Sequence, residues 1–208
     1  MPSKLRLRYI FKSLIKLIAK AFIRIGIKNP NVITIMMLSA AILSMLLLVF
    51  LKNLLLFALF VFLAGFFDGL DGQIARLTNR VTLFGGFFDS FMDRTSEFFI
   101  FLGLFIYKQD QMLWVCIDMK IVISISFLAS IMISYSRSRA EVFFKGDFDV
   151  GLMARSERLF YIVIISIISF FYDVIDISLF IFMLLVIGTF LFRTIHIYYI
   201  LKKRDNQT

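Results

Sequence analysis

The most regular feature of the sequence is a series of apolar segments separated by short polar breaks. The first break lies at residues 29–31, where a proline stands between two asparagines. Each apolar segment that follows has roughly 20 residues, the length at which one α-helix crosses the hydrocarbon core of a bilayer. The pattern predicts an all-α integral membrane protein with six transmembrane helices. Their predicted spans are roughly 32–51, 54–75, 84–107, 120–137, 158–175 and 178–200.

The segment before the first break, residues 4–28, has a different pattern. Leu, Ile and Phe alternate with basic residues at largely helical spacing, so the segment carries too much charge to cross a bilayer. This pattern predicts an amphipathic helix that lies in the membrane interface. A solvated helix packed on a soluble partner is the alternative. The basic residues of the segment are Lys4, Arg6, Arg8, Lys12, Lys16, Lys20, Arg24 and Lys28.

Composition supports the membrane interpretation. The mean hydropathy is +0.92, and 61% of the residues are hydrophobic, including 27 Phe, which is far from the composition of ordinary globular chains. The formal charge of +9 could indicate a nucleic-acid partner, but that interpretation needs a basic face on a soluble domain. Here the basic residues lie between long apolar segments, so orientation in a bilayer explains the charge better.

The basic residues also predict which end of the helices faces the cytoplasm. With an even number of spans both chain ends lie on one side, and 18 of the 23 Lys and Arg residues fall on that side. Lys52, Lys108 and Lys120 fall on the other. Because cytoplasmic loops are rich in Lys and Arg, the crowded side is predicted to be cytoplasmic. No internal repeat or low-complexity linker divides the chain, so residues 1–208 are predicted to form a single multi-pass domain of the cell membrane.

Four aspartates lie inside the second and third predicted spans, where a carboxylate facing lipid would be very costly. They are Asp68, Asp71, Asp89 and Asp93. The members of the first pair are three positions apart and those of the second pair are four positions apart, so each pair shares one helix face. If the two helices form a hairpin, the faces can meet. Four carboxylates brought together would repel one another strongly unless cations neutralise them.

This constellation predicts a metal site built from carboxylates. The chain has one cysteine, Cys116, and one histidine, His196, which cannot supply a site rich in Cys or His. Oxygen ligands select Mg²⁺ first and Mn²⁺ or Ca²⁺ next. Two ions bridged by shared carboxylates suit phosphoryl displacement, because they neutralise the attacked phosphate and its leaving group. Arg76, near the predicted cytoplasmic end, is placed to pair with a phosphate.

Two other classes of protein contain carboxylates in the membrane. A single Asp is often a proton relay or part of the ion path of a transporter, and a membrane scaffold could hold a structural metal. Four aspartates at paired helical spacing, beside glycines and an arginine, are harder to explain in either way. The glycines alone are uninformative, because close helix packing accounts for them at least as often as ligand binding does. They are Gly65, Gly69, Gly72, Gly85 and Gly86.

The same residues form a longer motif. It reads Asp68-x2-Asp71-Gly72-x2-Ala75-Arg76-x8-Gly85-x3-Asp89-x3-Asp93. The motif resembles the signature of the CDP-alcohol phosphotransferase family at each of its eight defined positions over 26 residues. The amphipathic first segment, the six predicted helices and the Pro30-Asn31-x2-Thr34 entry to the first span agree with the resemblance.

The resemblance implies a metal-dependent enzyme that transfers a diacylglycerol- or archaeol-linked phosphate from a CDP-lipid to an alcohol and releases CMP. It implies that Asp68, Asp71 and Asp89 ligate Mg²⁺ or Mn²⁺, with two ions in the site. Asp93 is implied to be a further ligand or the general base that deprotonates the acceptor hydroxyl. A homodimer and a site open to the cytoplasmic leaflet are also implied. The residues implied to bind the CDP-lipid are Thr34, Asp68, Gly72, Ala75, Arg76 and Gly85.

The acceptor alcohol is predicted from basic residues near the cytoplasmic ends of the later helices. Such residues could bind an acceptor that already carries a phosphate, although membrane orientation alone also places basic residues there. One of them lies inside the last predicted span, where it needs an anionic partner. The four residues predicted to bind the acceptor phosphate are Arg137, Arg139, Arg158 and Arg193.

The pattern around these arginines narrows the acceptor. Arg-x-Arg-Ala-Glu at 137–141 and Glu-Arg at 157–158 resemble the branch of the family that uses inositol phosphate. The resemblance implies inositol 1-phosphate as the acceptor. Glycerol 3-phosphate is the nearest rival, because it too presents a phosphate.

Overall fold

The computed structural model describes residues 12–114, 116–143 and 148–205, and these residues are almost wholly helical. A two-residue antiparallel pair, β1 (Met112–Leu113) with β2 (Ile117–Asp118), interrupts the helices. The helices are α1 (Lys12–Arg24), α2 (Pro30–Leu51), α3 (Leu54–Leu77), α4 (Leu83–Tyr107), α5 (Met119–Phe143), α6 (Arg155–Tyr172) and α7 (Ile175–Asp205).

Side-chain caps fix where α2, α3 and α4 begin. Asn29, Asn53 and Thr82 each accept hydrogen bonds from backbone N–H groups of the first helical turn, at 3.0 to 3.1 Å. Asn and Thr suit these positions because their oxygen satisfies N–H groups that have no partner within the helix. Lys52 adopts a left-handed conformation, with φ of 51°, and ends α2. The chain therefore reverses within two residues between α2 and α3.

The six predicted apolar segments correspond to α2 through α7, with different ends for the later helices. The fourth prediction ended at residue 137, but α5 continues to Phe143 because Arg137 and Glu141 pair one turn apart at 2.8 Å and support the helix. Helix α6 lies three residues earlier than predicted, since Asp173, with φ of 45°, closes it after Tyr172. Helix α7 extends beyond the predicted span at both ends.

Helix α2 is the centre of the packing and lies against both α3 and α4. Its buried positions include Ala40 and Ala41, whose small side chains allow close approach. A Cβ added to Gly103 of α4 would lie 3.1 Å from the Cα of Met45, so the two backbones nearly touch there. Helices α3 and α4 contact each other at few points, because α2 lies between them. The hairpin expected from the sequence is thus open, with its two arms joined through a third helix.

The remaining helices complete a bundle. Helix α6 packs on α3, α5 packs on α7, and α1 packs on α3. A Cβ on Gly65 would lie 3.5 Å from Leu159, and one on Gly69 would lie 2.9 Å from Ile15. These two glycines therefore let neighbouring helices approach α3, which is the packing explanation considered for them in the sequence.

The outer faces of the helices are strongly apolar. Phe62, Phe98, Leu128 and Phe171 are among many large apolar side chains that the described part of the chain leaves exposed. Soluble monomers rarely expose apolar patches of this extent, whereas a bilayer covers them. Four described helices, α2, α3, α5 and α7, are long and apolar enough to cross a membrane. In α4 and α6, charged residues interrupt every apolar stretch of comparable length.

The described part of the first predicted helix is α1, while residues 4–11 of that prediction lie outside the described residues. Ala19 is fully buried against Leu70 and Ile74 of α3, and Lys16 and Lys20 are exposed on the other side. The helix is therefore amphipathic in the structure, and its place in the membrane interface stays a prediction.

Candidate functional site

A cavity of about 630 Å³ lies where α3 ends, α4 begins, α5 ends and α6 begins. Its size suits a small-molecule ligand. Both aspartates and arginines line it. Two glycines of α3, Gly69 and Gly72, also line it.

Three of the four motif aspartates form a cluster in this cavity. One carboxylate oxygen each from Asp68, Asp89 and Asp93 lies within 4.8 Å of the others. Asp68 comes from α3, and the other two lie one turn apart on α4, as their spacing predicted. The carboxylate-bearing faces of α3 and α4 therefore meet here, although the two helices contact each other at few points along their length.

Asp71 lies beside this cluster and is held in place by its own partners. Its Oδ2 accepts a hydrogen bond of 2.8 Å from the Thr34 hydroxyl, and its Oδ1 accepts from the backbone N–H of Gly72. Asp71 is only 4% exposed, and Thr34 is also buried. Thr34 therefore joins α2 to the carboxylates and orients Asp71, rather than lining the cavity itself.

The donor set fits a hard divalent cation. Asp89 Oδ1 is buried and receives no hydrogen bond from any described residue, which is costly for a carboxylate unless a cation binds it. The cluster offers carboxylate oxygens from two helices, the ligands that Mg²⁺ and Mn²⁺ prefer.

Arg155, the first residue of α6, reaches into the aspartate cluster. Its Nη1 lies 2.5 Å from Asp68 Oδ1 and 2.6 Å from Asp93 Oδ1, so one nitrogen bridges α3 and α4. Its Nη2 donates to the Ser96 hydroxyl at 3.0 Å. The sequence prediction did not include Arg155 in the site. Its spacing was the available signal, because Arg155 and Arg158 are three residues apart and share a helix face.

Arg158, predicted to bind an acceptor phosphate, lines the cavity and pairs with a carboxylate of the chain itself. Its Nε donates to Glu97 Oε1 at 2.8 Å and its Nη2 donates to Glu97 Oε2 at 3.0 Å. Its Nη1 donates to the carbonyl of Met153 at 3.1 Å. Arg158 and Glu97 are at most 1% exposed. The forked pair therefore connects α6 to α4 one turn beyond Asp93, and Glu97 is a second residue that the sequence prediction missed.

Two of the other predicted arginines meet at the basic part of the cavity. Asp149 Oδ1 lies 3.5 Å from Arg137 Nη1 and 3.3 Å from Arg193 Nη2. Arg193 is 2% exposed and also donates to the carbonyls of Val150 and Ile133. A single carboxylate oxygen is thus held between two guanidinium groups. This is the arrangement expected of a small oxyanion site.

Arg139 is not brought to the cavity. Residues two apart on a helix point in nearly opposite directions, so Arg139 lies on the far face of α5 from Arg137. It is exposed, and its guanidinium lies 4.9 Å from the centre of the Phe143 ring. The structure therefore brings together only two of the four predicted arginines, Arg137 and Arg193, around one carboxylate.

The residues predicted to bind the CDP-lipid are divided as well. Gly72 and Arg76 line the cavity, and a Cβ on Gly72 would lie 3.4 Å from Arg76 Nη2. Arg76 is exposed. Gly85 lies in the first turn of α4, where a Cβ would come within 2.9 Å of the capping hydroxyl of Thr82. Neither Gly85 nor Ala75 is among the described residues that line the cavity.

Known proteins are similar to this chain in sequence and in fold. Residues 27–195 match the model of the family described as CDP-alcohol phosphatidyltransferase. An archaetidylinositol phosphate synthase of Pyrococcus horikoshii is 35% identical over 120 residues, which are 58% of this chain and 60% of that protein. A phosphatidylinositol phosphate synthase of Mycobacterium tuberculosis is 33% identical over 148 residues, which are 68% of this chain and 64% of that protein. The matched part spans less than two thirds of the length of these two relatives.

Two crystal structures of the phosphatidylinositol phosphate synthase of Mycobacterium tuberculosis have the same fold. The structure with CDP-DAG bound matches with a TM-score of 0.76 and 27% identity, covering 89% of this chain and 94% of that chain. The structure in complex with manganese and citrate matches with a TM-score of 0.76 and 27% identity, covering 88% of each chain.

Proposed function

Because the chain belongs to the CDP-alcohol phosphatidyltransferase family, we propose that it transfers a lipid-linked phosphate from a CDP-lipid to inositol 1-phosphate and releases CMP. The observation that carries this proposal is the cluster of Asp68, Asp89 and Asp93 in one cavity with phosphate-compatible arginines. The names of the relatives support the acceptor, since one is an archaetidylinositol phosphate synthase and another is a phosphatidylinositol phosphate synthase. The neighbouring structure with CDP-DAG supports the lipid donor.

In the proposed reaction, the acceptor hydroxyl oxygen bonds to the phosphorus next to the lipid. The bond from this phosphorus to the bridging oxygen of the diphosphate breaks, and CMP leaves with that oxygen. Asp93, whose Oδ1 lies 2.6 Å from Arg155 Nη1 of α6, takes the hydroxyl proton. Two divalent ions, Mg²⁺ or Mn²⁺, held by Asp68, Asp71, Asp89 and Asp93, would neutralise the attacked phosphate and the leaving CMP. Thr34 keeps Asp71 aimed at the site.

The donor and the acceptor enter different parts of the cavity in this proposal. Gly72 leaves room beside the exposed guanidinium of Arg76, which pairs with the diphosphate of the CDP-lipid. The acceptor phosphate binds near Arg137 and Arg193, where an oxyanion from Asp149 already lies. The acceptor hydroxyl is then directed towards the aspartates.

The membrane arrangement is also part of the proposal. All six helices from α2 to α7 cross the bilayer, α1 lies in the interface, and the cavity opens to the cytoplasm. The apolar outer faces and the basic residues at the cavity end support this arrangement. A homodimer stays a prediction from the family resemblance.

The reaction is tested by supplying purified protein with CDP-diacylglycerol or CDP-archaeol and measuring CMP. The acceptors are inositol 1-phosphate, glycerol 3-phosphate, free inositol and serine, each with and without Mg²⁺ or Mn²⁺. The proposal expects CMP only with both a divalent ion and inositol 1-phosphate. Preference for glycerol 3-phosphate would identify it as the acceptor in place of inositol 1-phosphate. Preference for free inositol or serine would contradict the proposed binding of an acceptor phosphate. No CMP with any acceptor would favour a transporter or a scaffold.

Arg137→Gln is expected to raise the acceptor KM by roughly tenfold to a hundredfold, because a hydrogen bond to a charged group contributes about 1.5–3 kcal/mol. The dependence on CDP-lipid should change little. Arg137→Lys should recover part of the loss, since Lys keeps the charge without the planar fork. Initial rates over a range of acceptor concentrations measure the effect.

Arg139→Gln is the matched comparison on the same helix. The sequence prediction places Arg139 with the acceptor, whereas the structure places it outside the cavity. An unchanged acceptor KM in Arg139→Gln agrees with the structure. An equal rise in both variants would indicate a general effect of the basic helix end instead of a pocket around Arg137.

Topology is tested by the side from which cysteines react with a membrane-impermeant maleimide. Cys116 is exposed beyond the end of α4 and should react from outside intact cells. In a Cys116→Ser background, a cysteine at the exposed Arg80, between α3 and α4, should react only after the cytoplasmic side is opened. Lys108 is unsuitable as an outside position, because it is 2% exposed and pairs with Asp176 at 2.7 Å. Labelling of Cys116 and Arg80→Cys from the same side would contradict the proposed crossings.

A further inference from the structure

We propose that Arg155 is an internal counter-cation that competes with the divalent metal for Asp68 and Asp93, so that metal entry releases its guanidinium into the cavity. This inference deepens the proposed function and rests on it, since it concerns how that site is kept ready for its ligands. The sequence did not assign Arg155 to the site, and its contacts carry the inference.

The competition follows from the position of a single atom. Arg155 Nη1 lies 2.5 Å from Asp68 Oδ1 and 2.6 Å from Asp93 Oδ1. Divalent ions bind carboxylate oxygens at about 2.0 to 2.6 Å. An ion that bridges these two oxygens would therefore occupy nearly the same place as the nitrogen. Because two cations repel each other at such a distance, the arginine and the ion exclude each other there.

The guanidinium also compensates the negative charge of the carboxylate cluster. Carboxylates from α3 and α4 face each other within the cluster, where their mutual repulsion would push the two helices apart. Arg155 is 16% exposed, so its charge is little screened by water. Its bridge compensates the repulsion and keeps both carboxylates near the geometry that a metal requires.

The released side chain stays near the cavity. Arg158, three residues further along α6, is fixed to Glu97 by two hydrogen bonds and is fully buried. This pair anchors the first turn of α6, so the backbone of Arg155 cannot move far. Its positive charge then faces the cavity beside the metal site, where it can bind a phosphate group of a ligand. Metal and anionic ligand should therefore assist each other's binding, as linkage requires.

The test measures Mn²⁺ affinity, which does not depend on catalysis. The full chain in detergent micelles is titrated with Mn²⁺, and free Mn²⁺ is followed by electron paramagnetic resonance. Arg155→Gln is expected to bind Mn²⁺ roughly five- to 150-fold more tightly than the unmodified chain, the usual range of coupling between sites. Arg155→Lys should lie between them, because one ammonium group cannot contact both carboxylates and Ser96 as the fork does. Arg80→Gln removes the same charge from an exposed loop position and serves as the matched control.

Thermal unfolding gives a second measurement. Without metal, Arg155→Gln should have a lower Tm than the unmodified chain, and saturating Mn²⁺ should raise its Tm by more than it raises that of the unmodified chain. Equal or weaker Mn²⁺ binding by both Arg155 variants would overturn the inference, as would a gain no larger than that of Arg80→Gln. If Arg155→Gln does not fold, the Arg155→Lys titration decides.

The two proposals fail in different ways. CMP release by the unmodified chain, together with unchanged Mn²⁺ affinity in the variants, would contradict the role of Arg155 and support the proposed enzyme activity. Tighter Mn²⁺ binding by Arg155→Gln, with no CMP release from any acceptor, would contradict the enzyme activity and support the role of Arg155.

Discussion

Replacing Asp89 with Asn is expected to abolish turnover and to weaken Mn²⁺ binding. Asp89 Oδ1 is buried without a hydrogen bond from any described residue, so the change removes the charge of a carboxylate that a cation is needed to compensate. The loss of several kcal/mol of transition-state stabilisation corresponds to about a hundredfold or more in rate. Asp68→Asn and Asp71→Asn should act in the same direction. CMP release and Mn²⁺ titration measure the two effects on the same preparations.

The control for these variants is Asp110→Asn, which removes a carboxylate from an exposed position after α4. It should leave both measurements unchanged. Retained metal affinity and turnover in all three site variants would contradict the metal site.

Asp93→Asn separates two roles of that residue. If turnover falls much further than CDP-lipid affinity, Asp93 acts as the base, and if both fall in parallel it is mainly a ligand.

Replacing Glu97 with Gln is expected to destabilise the fold by about 3–5 kcal/mol, because it leaves the Arg158 guanidinium buried without its counter-charge. Both side chains are at most 1% exposed, so water cannot compensate. Thermal or denaturant unfolding in detergent gives the loss. Turnover should fall as well, since the pair anchors the turn of α6 that carries Arg155.

The double variant Glu97→Gln with Arg158→Met is the control for this prediction. Removing the charge of both partners should cost much less than removing one, because no unpaired charge remains buried. A double variant as unstable as Glu97→Gln would show that shape, not charge, holds α6 to α4. A stable Glu97→Gln variant with a raised acceptor KM would instead support the prediction that Arg158 binds the acceptor phosphate.

The helices could be predicted because their signal is local. A run of apolar residues with the right length needs no partner to be recognised, and α2 to α7 lie where such runs occur. Helix ends were less accurate where a single residue decides them. Asp173, in a left-handed conformation, ends α6 before the apolar run does. The β1–β2 pair was missed, since two-residue strands have no periodic signal.

The positions of the aspartate carboxylates could be predicted from the sequence, whereas the partners of the arginines could not. Asp89 and Asp93 are short side chains at fixed helical spacing, so their sequence positions nearly determine where their carboxylates lie. An arginine reaches across several ångströms, and its partner depends on how the helices pack. Arg155 and Arg158 share a face of α6, yet one meets the aspartates and the other meets Glu97. No property of the sequence alone distinguishes these two outcomes.

The position of α2 between α3 and α4 limits what the motif can do elsewhere. All eight defined residues of the motif lie on α3 and α4. The distance between these two helices is set by α2, through close contacts such as that of Met45 with Gly103 and through the hydrogen bond from Thr34 to Asp71. Grafted into an ordinary helical hairpin, the same 26 residues would close on themselves and lose the gap in which the carboxylates face each other. A designer who wishes to transplant this chemistry must therefore carry over three helices, including one with no charged residue of its own.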